Sequence, residues 1–446
     1  MQGLRFRNTT RRNFLQVAAA TAGASALRTA WAEDPPAATH PRATSGDPLE
    51  PDWQQRLTVT VGPAKADLVG TNHRALQAAV DYVSRLGGGT VQVLPGEYRL
   101  RNAVHLRSGV RLVGAGADTR LIKEPSITTK LAADSDWYDQ EITVEDARGL
   151  RLGDGICLQA TNPHHGGREV LKRTLVAQSG NRFKLDRPLR ANFWLMGDAT
   201  VSTLFPLVTG EEIGDLAIEN ITLDGNKEHN ELLDGNYAGC IFLQDCHNIA
   251  IRGVTARNYH GDGISWQICH DVAVDNCHSH DNTGLGLHPG SGSQRPVIRD
   301  NKLERNDIGL FFCWGVKYGL AERNSIRANR VGVSIGHRDT DNLIADNTVE
   351  GSREVGVLFR AERGRDFAPH RNRLLRNRIV DSGPMDGVAV DIQGQTEAIE
   401  VARNELREKR SPGERIGVRI GAETSAIQLA DNTIDGFAQP VVDLRQ

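Results

Sequence analysis

Side chains that could transfer protons on a carbohydrate are concentrated between residues 244 and 362. The candidate catalytic residues are Asp262, His288, Lys317, His337 and Arg338. The candidate substrate-binding residues are His260, Gln244, Gln267, Trp314, Arg360 and Glu362. A histidine or lysine can remove a proton next to a carboxylate, an arginine can neutralise that carboxylate, and a tryptophan can stack on a sugar ring. The competing interpretation is that these are only solvated surface residues, but such a surface should be richer in Ser, Thr, Lys and Glu.

A repeated unit must bring these residues together, because they are far apart in the chain. Each unit opens with a glycine followed by apolar residues at the first and third positions, which is the alternation of a strand with one buried face. The second and fourth positions should then point outward. The units open at Gly263, Gly284, Gly309, Gly332, Gly356, Gly387 and Gly417.

An asparagine also recurs after a strand-like run in each unit. The positions are Asn276, Asn301, Asn324, Asn347, Asn377, Asn404 and Asn432, with gaps of 25, 23, 23, 30, 27 and 28 residues. A unit of this length cannot bury its own apolar face, so neighbouring copies must stack, which predicts an all-β parallel β-helix. We expect each asparagine at a tight turn above the previous one, passing amide hydrogen bonds along the stack. Stacking would also align the outward residues in a single file, about 4.8 Å apart.

The sequence before the repeats predicts a cap and an insertion. Thr71-Asn72 precedes an amphipathic helix that ends at Gly87-Gly88-Gly89, and a strand-like run follows at residues 90–94. This opening resembles the start of the pectate-lyase and polygalacturonase-like right-handed β-helix superfamily, in which a helix caps the first coil. Residues 134–204 have alternating strands at the spacing of an antiparallel insertion. We predict a right-handed parallel β-helix over residues 53–446, with an N-terminal α-helical cap and an inserted antiparallel β subdomain at 134–204.

Residues 1–32 predict export. Arg11-Arg12 precedes a weakly apolar run and Ala30-Trp31-Ala32, a pattern that resembles a twin-arginine signal peptide, and residues 33–52 have the composition of a linker. Removing the five arginines of this segment leaves 48 basic and 56 acidic residues, a net charge of −8, which argues against a nucleic-acid partner. No later run is long and apolar enough to span a membrane. The prediction is a periplasmic or secreted protein.

The cysteines and clustered histidines leave alternatives open. The six cysteines show no spacing typical of a metal site. Cys246 and Cys269 fall at the same place in successive coils, so they are either buried thiols, which we favour, or a disulfide. A metal site could also be built from His270, His278 and His280. The position of Asn276 predicts that these histidines lie opposite the groove.

Two short segments resemble known sites. Tyr259-His260-Gly261-Asp262-Gly263-Ile264 resembles the Asn-Thr-Asp-Gly-Ile/Leu segment of polygalacturonase-like glycosidases, with Asp262 as the match. Leu287-His288-Pro289 resembles the Asp-Pro-His groove of β-helical alginate epimerases. Inverting hydrolysis needs two separated carboxyl groups, and only Asp262 is placed for it. Cations outnumber placed carboxylates, which favours a lyase or epimerase.

The sequence therefore predicts an exported enzyme that acts on an acidic, uronate-containing polysaccharide in a groove along the β-helix. A lyase or epimerase is the first choice. The alternatives are an inverting glycoside hydrolase of polygalacturonase-like type, or a β-helix that binds glycans without catalysis or serves as a surface spacer. The cofactor is unknown, and the superfamily resemblance implies that Ca²⁺ is one option.

Overall fold

The computed structural model describes residues 50–410 and 413–445, which fall within one compact unit. The predicted signal segment and residues 33–49 of the predicted linker lie outside the described residues. No helix in the described ranges is long and apolar enough to cross a membrane. The helical elements of the described residues are one α-helix, His73–Arg85, and short 3-10 helices at Trp53–Gln55, Leu195–Gly197, Lys227–His229 and Arg365–Phe367.

The described residues form a right-handed parallel β-helix, as predicted. One wall is an 11-stranded parallel sheet to which each coil adds one strand. Its strands are Val104–His105, Val208–Glu211, Gly239–Gln244, Asp262–Gln267, Leu287–Gly290, Ile308–Phe311, Val331–Ile335, Val355–Phe359, Val388–Ile392, Ile416–Ile420 and Gln439–Asp443.

The remaining walls are a 22-stranded sheet to which most coils contribute two short strands. Its strands are Leu57–Gly62, Leu68–Val69, Gly89–Val93, Gly96–Leu100, Val110–Lys123, Gly214–Asp224, His247–Arg252, Thr255–Arg257, His270–Asp275, His278–His280, Val297–Arg299, Lys302–Glu304, Leu320–Glu322, Ser325–Arg327, Leu343–Ala345, Thr348–Glu350, Arg373–Leu375, Arg378–Val380, Glu400–Ala402, Glu405–Arg407, Gln428–Ala430 and Thr433–Asp435.

Apolar side chains point into the coil at equivalent positions of successive strands. Ile241, Ile264, Leu287, Leu310 and Val333 pair in register along the 11-stranded sheet, and all are fully buried. Because side chains alternate along a strand, the residues between them point outward. The core is therefore a stack of aliphatic layers, and the outer face of this sheet is free to carry other chemistry.

Two predicted repeat openings are wrong by two residues. Gly286, not Gly284, occupies the position of Gly263, because Leu287 pairs with Ile264. Ala389, not Gly387, occupies the position of Gly356, because Val390 pairs with Val357. A Cβ at Gly286 would lie 2.5 Å from the carbonyl oxygen of Gly309. Glycine is therefore needed at this position, where the backbones of adjacent coils approach closely. A shift of two preserves the alternation of the strand, so His288 still points outward.

The asparagine ladder is confirmed for six of the seven predicted members. The backbone N–H and the Nδ2 of Asn324 donate to Asn347 Oδ1 at 2.9 and 2.8 Å. The same pattern links Asn301, Asn324, Asn347, Asn377, Asn404 and Asn432. Asn276 is not a member; it has a φ of 52°, and Cys277 occupies the ladder position. In each turn a residue with positive φ comes directly before the ladder residue. Asn276 is this preceding residue, because asparagine tolerates a positive φ.

The helical cap and the presence of an antiparallel insertion are also confirmed, although the first strand of the insertion begins at Thr128, before the predicted residue 134. Asn72 Oδ1 accepts hydrogen bonds from the backbone N–H groups of Arg74 and Ala75 at 3.0 and 3.3 Å, which fixes the start of the helix His73–Arg85. The insertion is a six-stranded antiparallel sheet with its own apolar core. Its strands are Thr128–Lys130, Glu141–Thr143, Gly155–Thr161, Arg168–Ser179, Arg182–Leu185 and Thr200–Ser202.

The cysteines are free thiols, as favoured from the sequence. The backbone N–H of Cys246 donates to the Sγ atom of Cys269 at 3.4 Å. Both side chains are buried in the core. Stacked thiols therefore act here as small apolar residues with weak acceptor capacity.

Candidate active site

The outer face of the 11-stranded sheet carries a continuous file of side chains. Phe242, Ser265, His288, Phe311 and Ser334 fall in register on five successive strands. Residues from 242 to 334 thus become neighbours, because each coil adds one strand to the same wall. This file is the floor of the candidate site.

A buried carboxylate and imidazole form the centre of the site. Asp262 Oδ2 lies 2.9 Å from His288 Nδ1, and both side chains are only 3% exposed. Asp262 Oδ1 accepts the backbone N–H of Leu285 at 2.8 Å. Because a carboxylate is an acceptor, this geometry puts the imidazole proton on Nδ1 and leaves a lone pair on Nε2.

The other nitrogen of this imidazole is unused. His288 Nε2 is buried and has no hydrogen-bond partner, and the same is true of Gln267 Oε1. The amide nitrogen of Gln267 donates to Ser265 Oγ at 3.1 Å, and Ser265 Oγ lies 3.3 Å from His288 Nδ1. Buried polar atoms are nearly always paired, so two unpaired atoms in one network mark a place where a ligand group can bind.

Residues 230–238, hereafter the covering segment, lie over this pair. The Ser265 hydroxyl donates to the Gly235 carbonyl at 2.7 Å. A Cβ on Gly235 would lie 1.7 Å from Asp262 Oδ2, so only glycine fits against the carboxylate. The covering segment therefore accounts for the low exposure of Asp262 and His288.

A second group of charged side chains centres on Arg360. Its guanidinium donates to Ser334 Oγ at 2.8 Å and to the Phe312 carbonyl at 3.1 Å. It also lies 3.4 Å from Glu362 and 3.6 Å from Asp339. Arg360 is thus committed to protein partners rather than open to a substrate carboxylate.

Asp339 stabilises the backbone turns next to Arg360. Its carboxylate is fully buried and accepts the backbone N–H groups of Gly315, Val316 and Gly336, each at 2.9 Å. Burial raises the pKa of Asp339 to about 7, although Arg360 and the three N–H groups oppose this shift. The carboxylate holds the turns on which Trp314 and His337 lie.

An aromatic and cationic platform continues the site on the C-terminal side. Trp314 is 57% exposed and stacks on His337, with ring centroids 4.0 Å apart and planes 20° apart. The guanidiniums of Arg338 and Arg363 lie 4.2 and 4.5 Å from the ring centroid of Phe367. Burial and the neighbouring guanidinium of Arg363 lower the pKa of His337, although Glu362 opposes the shift. We call these five side chains the platform.

The platform cations lack acidic partners. Among the ion pairs of residues 50–410 and 413–445, none involves Arg338 or Arg363. Arg338 Nε donates to the Asp366 carbonyl at 3.1 Å, and Arg363 lies 3.4 Å from His337 Nε2. Their remaining N–H groups are available to an anion beside the exposed face of Trp314.

Three of the predicted site residues lie apart from these groups. Lys317 forms backbone bridges with Gln294 and Thr340, on the turn that leads to the 22-stranded sheet. His260 Nδ1 lies 2.8 Å from the Asn230 carbonyl, and the Gln244 amide donates to Asp245 at 3.2 Å. Within the described residues, none of the three is hydrogen-bonded to Asp262, His288 or Arg360. Their predicted roles in catalysis and binding remain predictions.

Several residues of the site did not stand out in the sequence. Gly235 and Arg363 lie in loops between repeats, and Phe367 lies in the 3-10 helix Arg365–Phe367 of the same loop as Arg363, so none belongs to the periodic pattern. The lengthened loop after Glu362 was the one available signal, because added residues next to a regular coil often serve function. Asp339 is adjacent to two predicted residues, yet its burial depends on contacts with neighbouring coils.

The described residues do not provide a metal site. No group of three or more His, Cys, Asp or Glu side chains in them could hold a metal ion. Two of the histidines proposed as an alternative metal site instead form separate pairs with carboxylates on the 22-stranded sheet. His278 Nε2 lies 3.2 Å from Glu304, and His280 Nδ1 lies 2.6 Å from Asp281. Asp262, Asp339 and Glu362 already accept hydrogen bonds from protein groups, so the groove offers no free oxygen cage for Ca²⁺.

The chain is similar to known β-helix proteins. Residues 214–406 match the family described as "Right handed beta helix region". Over 329 residues the chain is 23% identical to the mannuronan C5-epimerase AlgE2 of Azotobacter vinelandii, covering 72% of this chain and 23% of that protein. The mannuronan C5-epimerase AlgE1 of the same organism is 22% identical, with 72% and 17% covered. The chain thus spans about a fifth of the length of these relatives.

A solved structure supports the same fold. The family 28 exopolygalacturonase of Yersinia enterocolitica superimposes with a TM-score of 0.50 at 12% sequence identity, covering 87% of this chain and 78% of that chain. At this identity the likeness concerns the fold alone. The chemistry of this chain must therefore be argued from its own side chains.

Proposed function

We propose that this protein acts on a uronate-containing polysaccharide and removes the proton next to the uronate carboxylate, as a lyase or epimerase does. One observation carries the proposal: His288 is held by Asp262 with Nε2 buried and unpartnered. An imidazole whose Nδ1–H is held by a carboxylate has its lone pair on Nε2, which is the atom a general base uses.

The reaction balances with these groups. His288 Nε2 takes the proton from the carbon that bears the uronate carboxylate, and the carbon–hydrogen electron pair moves into that carboxylate. In a lyase this pair then expels the glycosidic oxygen on the neighbouring carbon and forms a carbon–carbon double bond, and the oxygen takes up a proton from water or from the His288 imidazolium. In an epimerase a water molecule gives a proton to the opposite face of the carbon, and the imidazolium returns its proton to solvent. Asp262 stabilises the imidazolium that forms in either case.

The platform supports an acidic substrate. Arg338 and Arg363 have N–H groups without acidic partners, and the exposed face of Trp314 lies beside them. Planar guanidiniums bind carboxylates, and an aromatic face binds the apolar face of a sugar ring. A uronate unit has both features. Arg360, which we expected to bind substrate, is engaged by Ser334 and Phe312, so we assign the carboxylate contact to Arg338 and Arg363.

The groove does not fit Ca²⁺, so no step is assigned to a metal. Neutralisation of the uronate carboxylate then depends on the platform guanidiniums. Export, which the twin-arginine-like segment at residues 1–32 predicts, remains part of the proposal.

Glycan binding without turnover is the second candidate. The covering segment leaves the side chains of Asp262 and His288 only 3% exposed, which is the observation in its favour. In that case the pair would hold the covering segment in place, and the platform alone would contact sugar. An inverting hydrolase needs a second carboxyl group several ångströms from Asp262, across the bond that is cleaved.

The test is an activity panel on uronate polymers. Absorbance at about 235 nm detects elimination, incorporation of solvent deuterium at the carbon beside the carboxylate detects epimerisation, and a reducing-sugar assay detects hydrolysis. We expect the wild type to give the first or second signal. H288Q should lower it about 10²–10⁴-fold, whereas H164Q, at an exposed histidine of the insertion, should not change it.

Binding is measured separately from turnover. H288Q should still bind acidic oligosaccharides, and R363M in that background should weaken binding and its dependence on salt. R353M is the matched control, because Arg353 is exposed and its guanidinium contacts only the Ala328 carbonyl among the hydrogen bonds of the described residues. Binding without any turnover would establish the glycan-binding candidate, and a reducing-sugar signal alone would establish a hydrolase.

A further inference from the structure

The antiparallel insertion touches the covering segment at both ends. At the far end, Lys172 Nζ donates to the Tyr237 carbonyl. At the near end, Glu231 accepts the hydroxyls of Thr128 and Ser202 at 2.7 and 3.3 Å. Lys172, Thr128 and Ser202 all belong to strands of the insertion. The insertion therefore forms hydrogen bonds with both ends of the covering segment, which lies over Asp262 and His288.

The contacts of Lys172 are specific. Its ammonium lies 3.8 Å from the ring centroid of Phe242, which precedes Ser265 and His288 in the outward file. The cation thus lies on the floor of the site while it holds the covering segment above it. Burial lowers the pKa of Lys172 to about 8, with Cys157 and Glu211 opposing this shift and Arg187 adding to it. Lysine side chains are mostly exposed to solvent, so the packing of Lys172 against an aromatic ring beneath the covering segment is unusual.

The start of the covering segment is also held by Asn230, whose side chain bonds with Lys123 and with the carbonyls of Gly225 and Asn226, and by the Glu231 N–H, which donates to Ser126 Oγ at 3.2 Å. Its central residues, 232–236, have fewer bonds to the rest of the described chain: the Leu233 N–H donates to the His260 carbonyl at 3.0 Å, and Gly235 accepts the Ser265 hydroxyl. Leu233 is buried, whereas Leu232, Asp234 and Asn236 are exposed. A short segment held by a few hydrogen bonds opens locally at a small fraction of the free energy of global unfolding.

We propose that Lys172 is a positioning residue, through which the insertion keeps residues 230–238 closed over the Asp262–His288 pair and controls access of substrate to His288. The proposal rests on the proposed function for the identity of the substrate. The closure itself can be measured with no substrate present. Polysaccharide would reach Nε2 of His288 after the covering segment swings away from Ser265 and Tyr237 leaves Lys172.

Carbethoxylation by diethyl pyrocarbonate measures access to each imidazole, with modification located by peptide mass spectrometry. In the wild type, His288 should react at least about tenfold more slowly than exposed His164. K172M should accelerate the reaction of His288 about tenfold, because one hydrogen bond from a charged donor is lost. K172R, which keeps a cationic donor, should restore slow reaction. K184M is the matched control, since Lys184 is exposed on the same insertion and should leave the rate unchanged.

A second variant, S265A, distinguishes opening of the covering segment from unfolding of the insertion in K172M. S265A removes the bond to Gly235 at the centre of the covering segment and should also accelerate modification of His288. Amide hydrogen exchange at Leu233 should accelerate in parallel, with the helix His73–Arg85 unchanged. The proposal is overturned if His288 in the wild type reacts as fast as His164. It is equally overturned if K172M and S265A both leave the rate unchanged.

These outcomes are separate from those of the proposed function. If no uronate polymer is turned over but His288 is protected in the manner described, the closure stands and the reaction does not. If turnover depends on His288 but K172M affects neither protection nor KM, the reaction stands and the role of Lys172 does not.

Discussion

Replacing Asp262 by asparagine should reverse the tautomer of His288 without disturbing the site. Asp262 Oδ1 accepts the Leu285 N–H at 2.8 Å, so the carbonyl oxygen of the new amide must stay on that side. Its NH₂ group then replaces Oδ2, which lies 2.9 Å from His288 Nδ1. An NH₂ group is a donor, so Nδ1 must become the acceptor and the proton must move to Nε2.

The expected loss of reaction rate in D262N follows from the hydrogen bonds that change. To act as a base, His288 in D262N would need its proton on Nδ1, where it would face another donor. The lost charge-assisted bond and the unpaired donors together disfavour this state by about 3–5 kcal/mol, which lowers the rate about 10²–10⁴-fold. The neutral imidazole leaves no buried charge without a counter-ion, so the free energy of unfolding should change by less than about 1.5 kcal/mol.

Two measurements test this prediction. Long-range proton–nitrogen correlation spectra of histidine-labelled protein report which ring nitrogen of His288 carries the proton, and initial rates on the active uronate polymer report the base. D300N is the control, because Asp300 pairs with Arg323 on an exposed face away from the site. Retention of the Nδ1–H tautomer in D262N, or a rate within about threefold of wild type with the tautomer reversed, would refute the reasoning.

Two further predictions concern stability. N347A removes the acceptor of both Asn324 donors and the donor to the Ala321 carbonyl, so it should lower the free energy of unfolding by about 2–4 kcal/mol in urea titrations. N276G, outside the ladder, should change it by less than about 0.5 kcal/mol; equal effects would contradict the ladder. Burial lowers the pKa of Lys123 from 10.5 to about 7, so between these values the unfolded state holds a proton that the folded state has released. Stability should therefore rise with pH in this window, and K123M should lack that increment in urea titrations at pH 7 and 9; parallel pH dependence in both proteins would exclude this origin.

The periodicity of the sequence determined the fold because it is local. Glycine followed by alternating apolar residues defines a strand, and a coil without its own core must stack on another coil. The ladder asparagines were visible for the same reason, since each turn repeats one backbone conformation. The wrong assignments at Gly284, Gly387 and Asn276 are small register errors, because coils of unequal length leave the exact residue of each column open.

The outward direction of His288 and its neighbours also followed from the sequence, because a strand alternates. What the tertiary structure alone decided is which outward residues touch. Arg360 lies along the outward file and bonds to Ser334 and the Phe312 carbonyl, while Arg363, from an irregular loop, lies beside Trp314. The cover over Asp262 depends on Gly235 and on an insertion whose path no periodicity encodes. Contacts between coil, loop and insertion arise from packing in three dimensions, so spacing along the chain does not determine them.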